Sequence, residues 1–143
     1  MQFGAPREIV IPMKIPPGEA PYLEAVITFQ RGGKDQNVSI TGADRMSNEH
    51  SIFAYYRSMA ITQALNYYNA TRRARMRANS KAFDAFSKEL HTIACTAGFG
   101  SNFKTLSGDF AGRLTKSFEG KDRFNRWGRH YILCLTRSWQ LMQ

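Results

Sequence analysis

The sequence has only two cysteines, Cys95 and Cys134, and their spacing fits neither a zinc cluster nor a CxxC redox pair. Their helical positions predict reduced thiols buried on apolar faces, in an intracellular, cytoplasmic protein. No apolar run approaches the ~18 residues of a membrane span, so no span is expected. The N-terminus, Met1-Gln2-Phe3-Gly4-Ala5-Pro6, lacks the charged start and apolar run of a signal peptide. Acidic residues are also scarce: 11 against 20 basic ones, a formal charge of +9 over 143 residues. Such a balance favours acidic partners, whether nucleic acid, an anionic membrane surface or an acidic protein face.

Catalytic motifs are missing as well. There is no GxSxG elbow, no HExxH pair and no paired CxxC. The glycines of Gly98-Phe99-Gly100-Ser101-Asn102 have no lysine-serine pair behind them and make no phosphate loop. The histidines are His50, His91 and His130. His130 and Cys134 lie one helical turn apart and would offer two metal ligands, but no third stands near them in sequence. Asp109, Glu119 and Asp122 surround the third helix, where acids at helix ends are expected from the dipole alone. The expectation is therefore a chain with no catalytic residues, no metal and no cofactor.

What is present is enough apolar surface for a core. The hydrophobic share is 43% and the aromatic share 13%, which excludes a disordered chain. Residues 1–46 read as a β region. Arg7-Glu8-Ile9-Val10-Ile11 is short and β-branched, and Pro12, Pro16, Pro17 and Gly18 punctuate the chain after it. From Tyr22 to Phe29 the alternation puts Leu23, Ala25, Ile27 and Phe29 on one face, predicting a half-buried strand. Gly32-Gly33 marks a turn, and Val38 and Ile40 share a face on the returning strand. So small a sheet must lie on helices or be completed by other strands, as in the tail of a larger β-sandwich.

Residues 47–143 read as helices. Ser47-Asn48-Glu49 starts the first, whose stripe runs Phe53, Tyr56, Ala60, Ala64, Tyr67. Its end carries Arg72, Arg73, Arg75, Arg77 and Lys81, the densest charge in the chain. These guanidinium groups suit phosphate oxygens, although no aromatic is interleaved to stack a base. The second helix starts near Asn79 or Ser80, carries Phe83, Phe86, Leu90, Ile93 and Ala97, and stops at Gly98. Leu106, Phe110, Leu114 and Phe118 repeat every fourth residue in a third helix that begins near Asp109 and stops at Gly120. Asp122 caps the last helix, where Phe124, Trp127, Tyr131, Leu135, Ser138 and Leu141 step by three and four. Gly128 costs about 1 kcal/mol inside a helix relative to alanine, which implies a neighbour passing close by.

The run Arg126-Trp127-Gly128-Arg129-His130-Tyr131, ending in Trp139-Gln140-Leu141, resembles a known region. It is similar to the C-terminal, Vwaint-type region of multi-domain proteins that carry a von Willebrand factor A domain and a Hedgehog/intein-like (Hint) domain. The resemblance extends from the Ile9–Ile11 strand to Gln143 and implies strands followed by helices, and an accessory role. It casts Trp127, Gly128, His130 and Tyr131 as a structural motif.

The expected fold class is α+β, a small antiparallel sheet of about three strands followed by a bundle of three to four helices. Its core is expected to hold Phe53, Tyr56, Phe83, Phe86, Leu90, Phe110, Leu114, Trp127, Tyr131 and Leu135. The favoured function is a non-catalytic accessory domain that binds a protein partner, with oligomerisation through the sheet edge as one route. The alternative is a nucleic-acid-binding module using the Arg72–Lys81 cluster. A third reading is a small enzyme or ligand-binding domain centred on Trp127, His130 and Tyr131, which requires a concavity reaching His130 with a polar partner from the first or second helix.

Overall fold

A computed structural model describes residues 11, 13–15, 17–42, 48–74, 80–96 and 99–141. Two strands lead the described chain, β1 (Leu23–Arg31) and β2 (Lys34–Gly42). The helices come next: α1 (Glu49–Ala74), α2 (Lys81–Cys95), and α3 (Ser101–Asp109) running through a π-helical turn (Phe110–Leu114) into α4 (Thr115–Ser117). A last rod consists of α5 (Lys121–Arg123), a second π-helical turn (Phe124–Gly128) and α6 (Arg129–Leu141). The chain divides into two compact units, the break falling between Asn48 and Glu49.

The first unit holds an antiparallel hairpin registered from Leu23 opposite Gly42 to Arg31 opposite Lys34. Its two-residue turn has positive φ at both glycines, 59° at Gly32 and 74° at Gly33. That is the type I′ geometry whose twist matches the flanking strands, and it strains any residue with a Cβ. Pairing puts Ala25 opposite Ile40 and Ile27 opposite Val38, the apolar face expected from alternation. Burial differs from expectation, because every residue of both strands is exposed except the half-buried Gly42. Period two reports which residues share a face, not whether anything covers it. The described residues hold two strands rather than three; apart from Ile11, the expected Arg7–Ile11 strand lies outside them.

In the helical unit, α1 presents Ala60, Ala64 and Tyr67 to the core, with Phe53 and Tyr56 half-buried beside them. Small residues in the middle of α1 let its neighbours approach closely. Helix α2 contributes Phe83, Phe86, Leu90 and Ala94; its expected Ala97 and Gly98 lie outside the described residues, as does Ser47 before α1. Helix α3 begins at Ser101, earlier than the sequence suggested, and Asp109 ends it rather than starting it. Phenylalanines bind these rods together: Phe83 stacks on Phe110 at 4.6 Å, Phe86 meets Phe110 edge-on at 5.2 Å, and Tyr67 meets Phe118 edge-on at 4.6 Å.

The last two rods depart furthest from the expected spacing. An α-helix advances about 100° per residue, so positions four apart drift by about 40°. The run Leu106, Phe110, Leu114, Phe118 stays on one face because the π turn at Phe110–Leu114 is wider. Thr115 donates both its backbone N–H and its hydroxyl to the Phe110 carbonyl, the hydroxyl at 2.9 Å. The final rod does the same at Phe124–Gly128, and its buried positions become Phe124, Gly128, Ile132, Thr136 and Trp139. Trp127, expected in the core, is 43% exposed, while Trp139 is 2% exposed. Tyr131 is half-buried and packs its ring against Trp127 at 5.6 Å rather than into the core cluster. The expectation of a close neighbour at Gly128 is met: a Cβ there would overlap the Ser117 carbonyl oxygen.

Both cysteines are free and exposed, contrary to the buried thiols expected. Cys134 falls on the outer side once the π turn has rotated α6, and Cys95 ends α2 one position past the buried Ala94. Tyr56 ties α1 to α2 by donating its hydroxyl to Glu89 Oε1 at 2.8 Å. Burial, the hydrogen bond to Glu89 and the charges of Glu89 and Tyr55 push this phenol up from 10.0 to about 12.

Three outcomes are expected. Gly128→Ala should lower stability by about 2 kcal/mol in chemical denaturation, despite alanine's better helix propensity, because a backbone carbonyl must move; an unchanged or higher midpoint would contradict the contact. Cys95 and Cys134 should both react with a thiol reagent in the native protein at rates close to those in denaturant. The raised Tyr56 pKa favours the neutral phenol in the folded state. Its stabilisation should be fully present below pH 10.0 and disappear as pH rises through about 12. Glu89→Gln should shift its tyrosinate absorbance titration downward.

Candidate functional site

The five cations of the expected cluster do not share one setting. Arg72 and Arg73 are exposed in the last turn of α1, and Lys81 is the exposed first residue of α2. Arg75 and Arg77 lie outside the described residues. The second motif also splits by role. Gly128 is buried against Ser117, Trp127 and Tyr131 form an outer ring pair, and His130 is exposed, accepting a hydrogen bond from Arg129 Nε at 3.2 Å.

Arg72 and His130, far apart in sequence, meet at one concavity of about 520 Å³. Its apolar lining comes from Tyr68 on α1, Phe118 after α4, Phe124 in the second π turn and Leu133 on α6. Tyr68 and Phe124 lie 5.8 Å apart, and Phe124 stacks on Phe118 at 6.0 Å, giving a continuous aromatic floor. The polar lining is Thr71, Arg72, Lys121, Asn125, Arg129 and His130, with no carboxylate among them. Two acids flank this stretch in sequence: Glu119 bonds Arg123 at 2.7 Å, and Asp122 is exposed and outside the lining. Gly120, also in the lining, turns the chain from α4 into α5 with φ of 80°, a conformation that suits glycine. A ring-floored concavity walled by cations can hold an apolar body and an anionic group at once.

The ligand-pocket reading required a concavity reaching His130 with a polar partner from the first or second helix. The cavity reaches His130, and Thr71 and Arg72 come from α1. Trp127 and Tyr131 are not among its lining residues, having turned outward with the π register. Lys121 has no signal in the sequence, and Arg129 stands out there only as part of the Arg126–Tyr131 run, because single basic residues near helix starts carry no spacing signal.

A second concavity of about 430 Å³ is lined by the start of α1, by α3 and by Trp139 of α6, with His50, Arg57 and Asp109 among its lining residues. The Arg57 guanidinium sits 5.7 Å from the centre of the Phe53 ring. His130 and Cys134 remain an exposed pair, and no group of three or more His, Cys, Asp or Glu among the described residues could hold a metal ion. Among the same residues, no helix is long and apolar enough to cross a membrane.

No curated protein and no solved structure shows a significant match to the chain. Residues 101–143, from the first residue of α3 to the last of the chain, match the family model described as VWA / Hh protein intein-like. This stretch includes both π turns, the Ser117–Gly128 contact and the Trp127–Tyr131 run, so the similarity falls on the paired rods that carry most of the cavity wall.

Proposed function

We propose that this chain is a non-catalytic accessory domain that binds a partner protein, and that the β1–β2 hairpin is its docking element. One observation carries the reading. Nine residue pairs are in register, yet both faces stay exposed, including Leu23, Val26, Ile27, Phe29, Val38 and Ile40. A two-stranded sheet is marginal alone, and apolar side chains on both faces give it strong reason to be covered. Each strand also has one side unpaired in the two-stranded sheet, where backbone donors and acceptors can receive another strand. The occupant is a β-strand of a partner protein, seated on an edge with apolar side chains against the Ala25–Ile40 face. Similarity of residues 101–143 to a region of multi-domain proteins agrees with an accessory role.

A nucleic-acid-binding module is the second reading, supported by the exposure of Arg72, Arg73 and Lys81.

Hydrogen exchange on the monomeric protein tests the hairpin. Backbone amides of β1 and β2 should exchange far faster than those of α1 and α2. Protection equal to that of the core helices would mean that the hairpin is already covered, and the docking proposal would fall. Ile27→Lys with Val38→Lys should leave the melting of the helical unit unchanged, because both side chains are exposed.

A further inference from the structure

We infer that the cavity beside the last turn of α1 binds a small organic anion: one phosphate-like head on an aromatic or other apolar body. This site lies wholly in the helical unit and is independent of the hairpin.

Charge is the first argument. Arg72, Lys121 and Arg129 line one concavity with no carboxylate, and none of the three has an ion-pair partner among the described residues. Like charges gathered without a counter-charge repel, and a bound anion reverses the sign of that contribution. Arg129 spends only its Nε–H on His130, which leaves both terminal amino groups for two parallel bonds to a phosphate or carboxylate.

Thr71 is the second argument, and it rests on hydrogen bonding rather than charge. A helical threonine ordinarily returns its hydroxyl proton to the carbonyl four residues earlier. Thr62, Thr92, Thr105 and Thr136 all do so here, at 2.9 to 3.1 Å. Thr71 does not: it is 5% exposed, and its Oγ1 is buried with no hydrogen-bond partner among the described residues. Thr71 lines the cavity, and a ligand that opened the contact over its Oγ1 by a small side-chain shift would supply the missing acceptor.

Shape is the third. The volume of about 520 Å³ falls in the ~300–1,000 Å³ range of small-molecule sites. The Tyr68 and Phe124 rings, inclined at 48°, offer a floor for a flat or aliphatic body rather than for a bare ion.

The test is titration of the full chain with phenyl phosphate, read by calorimetry and by backbone amide NMR. Saturable binding is expected, with inorganic phosphate weaker by about ten-fold for want of an apolar body. Arg129→Ala should weaken phenyl phosphate binding by about ten-fold, as loss of a charge-assisted bond predicts, whereas Arg73→Ala, which lies outside the lining, should not change it. Thr71→Val should weaken binding by roughly five-fold while leaving the melting temperature of the ligand-free protein unchanged or higher. Displacement of phenyl phosphate by adenosine monophosphate would assign the body to nucleotides, and displacement by decanoate to acyl anions; both support the site. Absence of saturable binding would overturn the inference. So would equal weakening by Arg73→Ala and Arg129→Ala, which would indicate attraction to a basic surface alone. A lower melting temperature for ligand-free Thr71→Val would mean that the hydroxyl already has its partner.

Discussion

The contact between Gly128 and the carbonyl of Ser117 sets the geometry of the helical unit. Two rods can cross at backbone distance only where one of them lacks a side chain, and Gly128 supplies that gap. A crossing this close requires each rod to keep one face turned toward the other for several turns. An α-helix with contacts every fourth residue cannot do that without twisting away. Both rods carry a π turn, Phe110–Leu114 just before Ser117 in one and Phe124–Gly128, ending at the contact itself, in the other. The widened turns cost regular hydrogen bonds, and Thr115 recovers part of that loss through its hydroxyl.

Much of this was legible in the residues. Stripes at three and four identified α1 and α2, and Gly32-Gly33 located the hairpin turn. The fourfold repeat of Leu106, Phe110, Leu114 and Phe118 was visible too, but its meaning was not, because 3.6-residue geometry was assumed throughout. The same assumption sent Trp127 inward. The alternative series Phe124, Gly128, Ile132, Thr136, Trp139 begins at the same residue but includes a glycine and a threonine, so it looks less apolar than the competing one. Hydrophobic scoring rewards the larger rings, whereas the fold rewards the smallest residue at the crossing. The exposure of Cys134 results from the same rotation at α6.

The cavity was harder to foresee, since it depends on positions brought together from α1, α5 and α6. His130 and Arg72 were both singled out, but for unrelated reasons. What joins them is the course of the final rod, which turns at Gly120 and brings Lys121 and Arg129 to the end of α1. The hydroxyl of Thr71, without a partner among the described residues, has no sequence signature at all. It stands out only beside threonines in the same molecule that keep to the usual pattern.

The packing of α6 against α1 also has a temporal side. Helix α1 is complete at Ala74, but its cover arrives only after residues 75–128 have been added. A chain made from its N-terminus must keep the Ala60–Ala64–Tyr67 stripe out of wrong associations during that interval, sheltered first by α2 and then by α3 and Phe118. Closure of the bundle therefore waits for the last of its helices to be made. The final helix serves as the latch, and any shortening of it leaves the oldest helix of the bundle with an open seam.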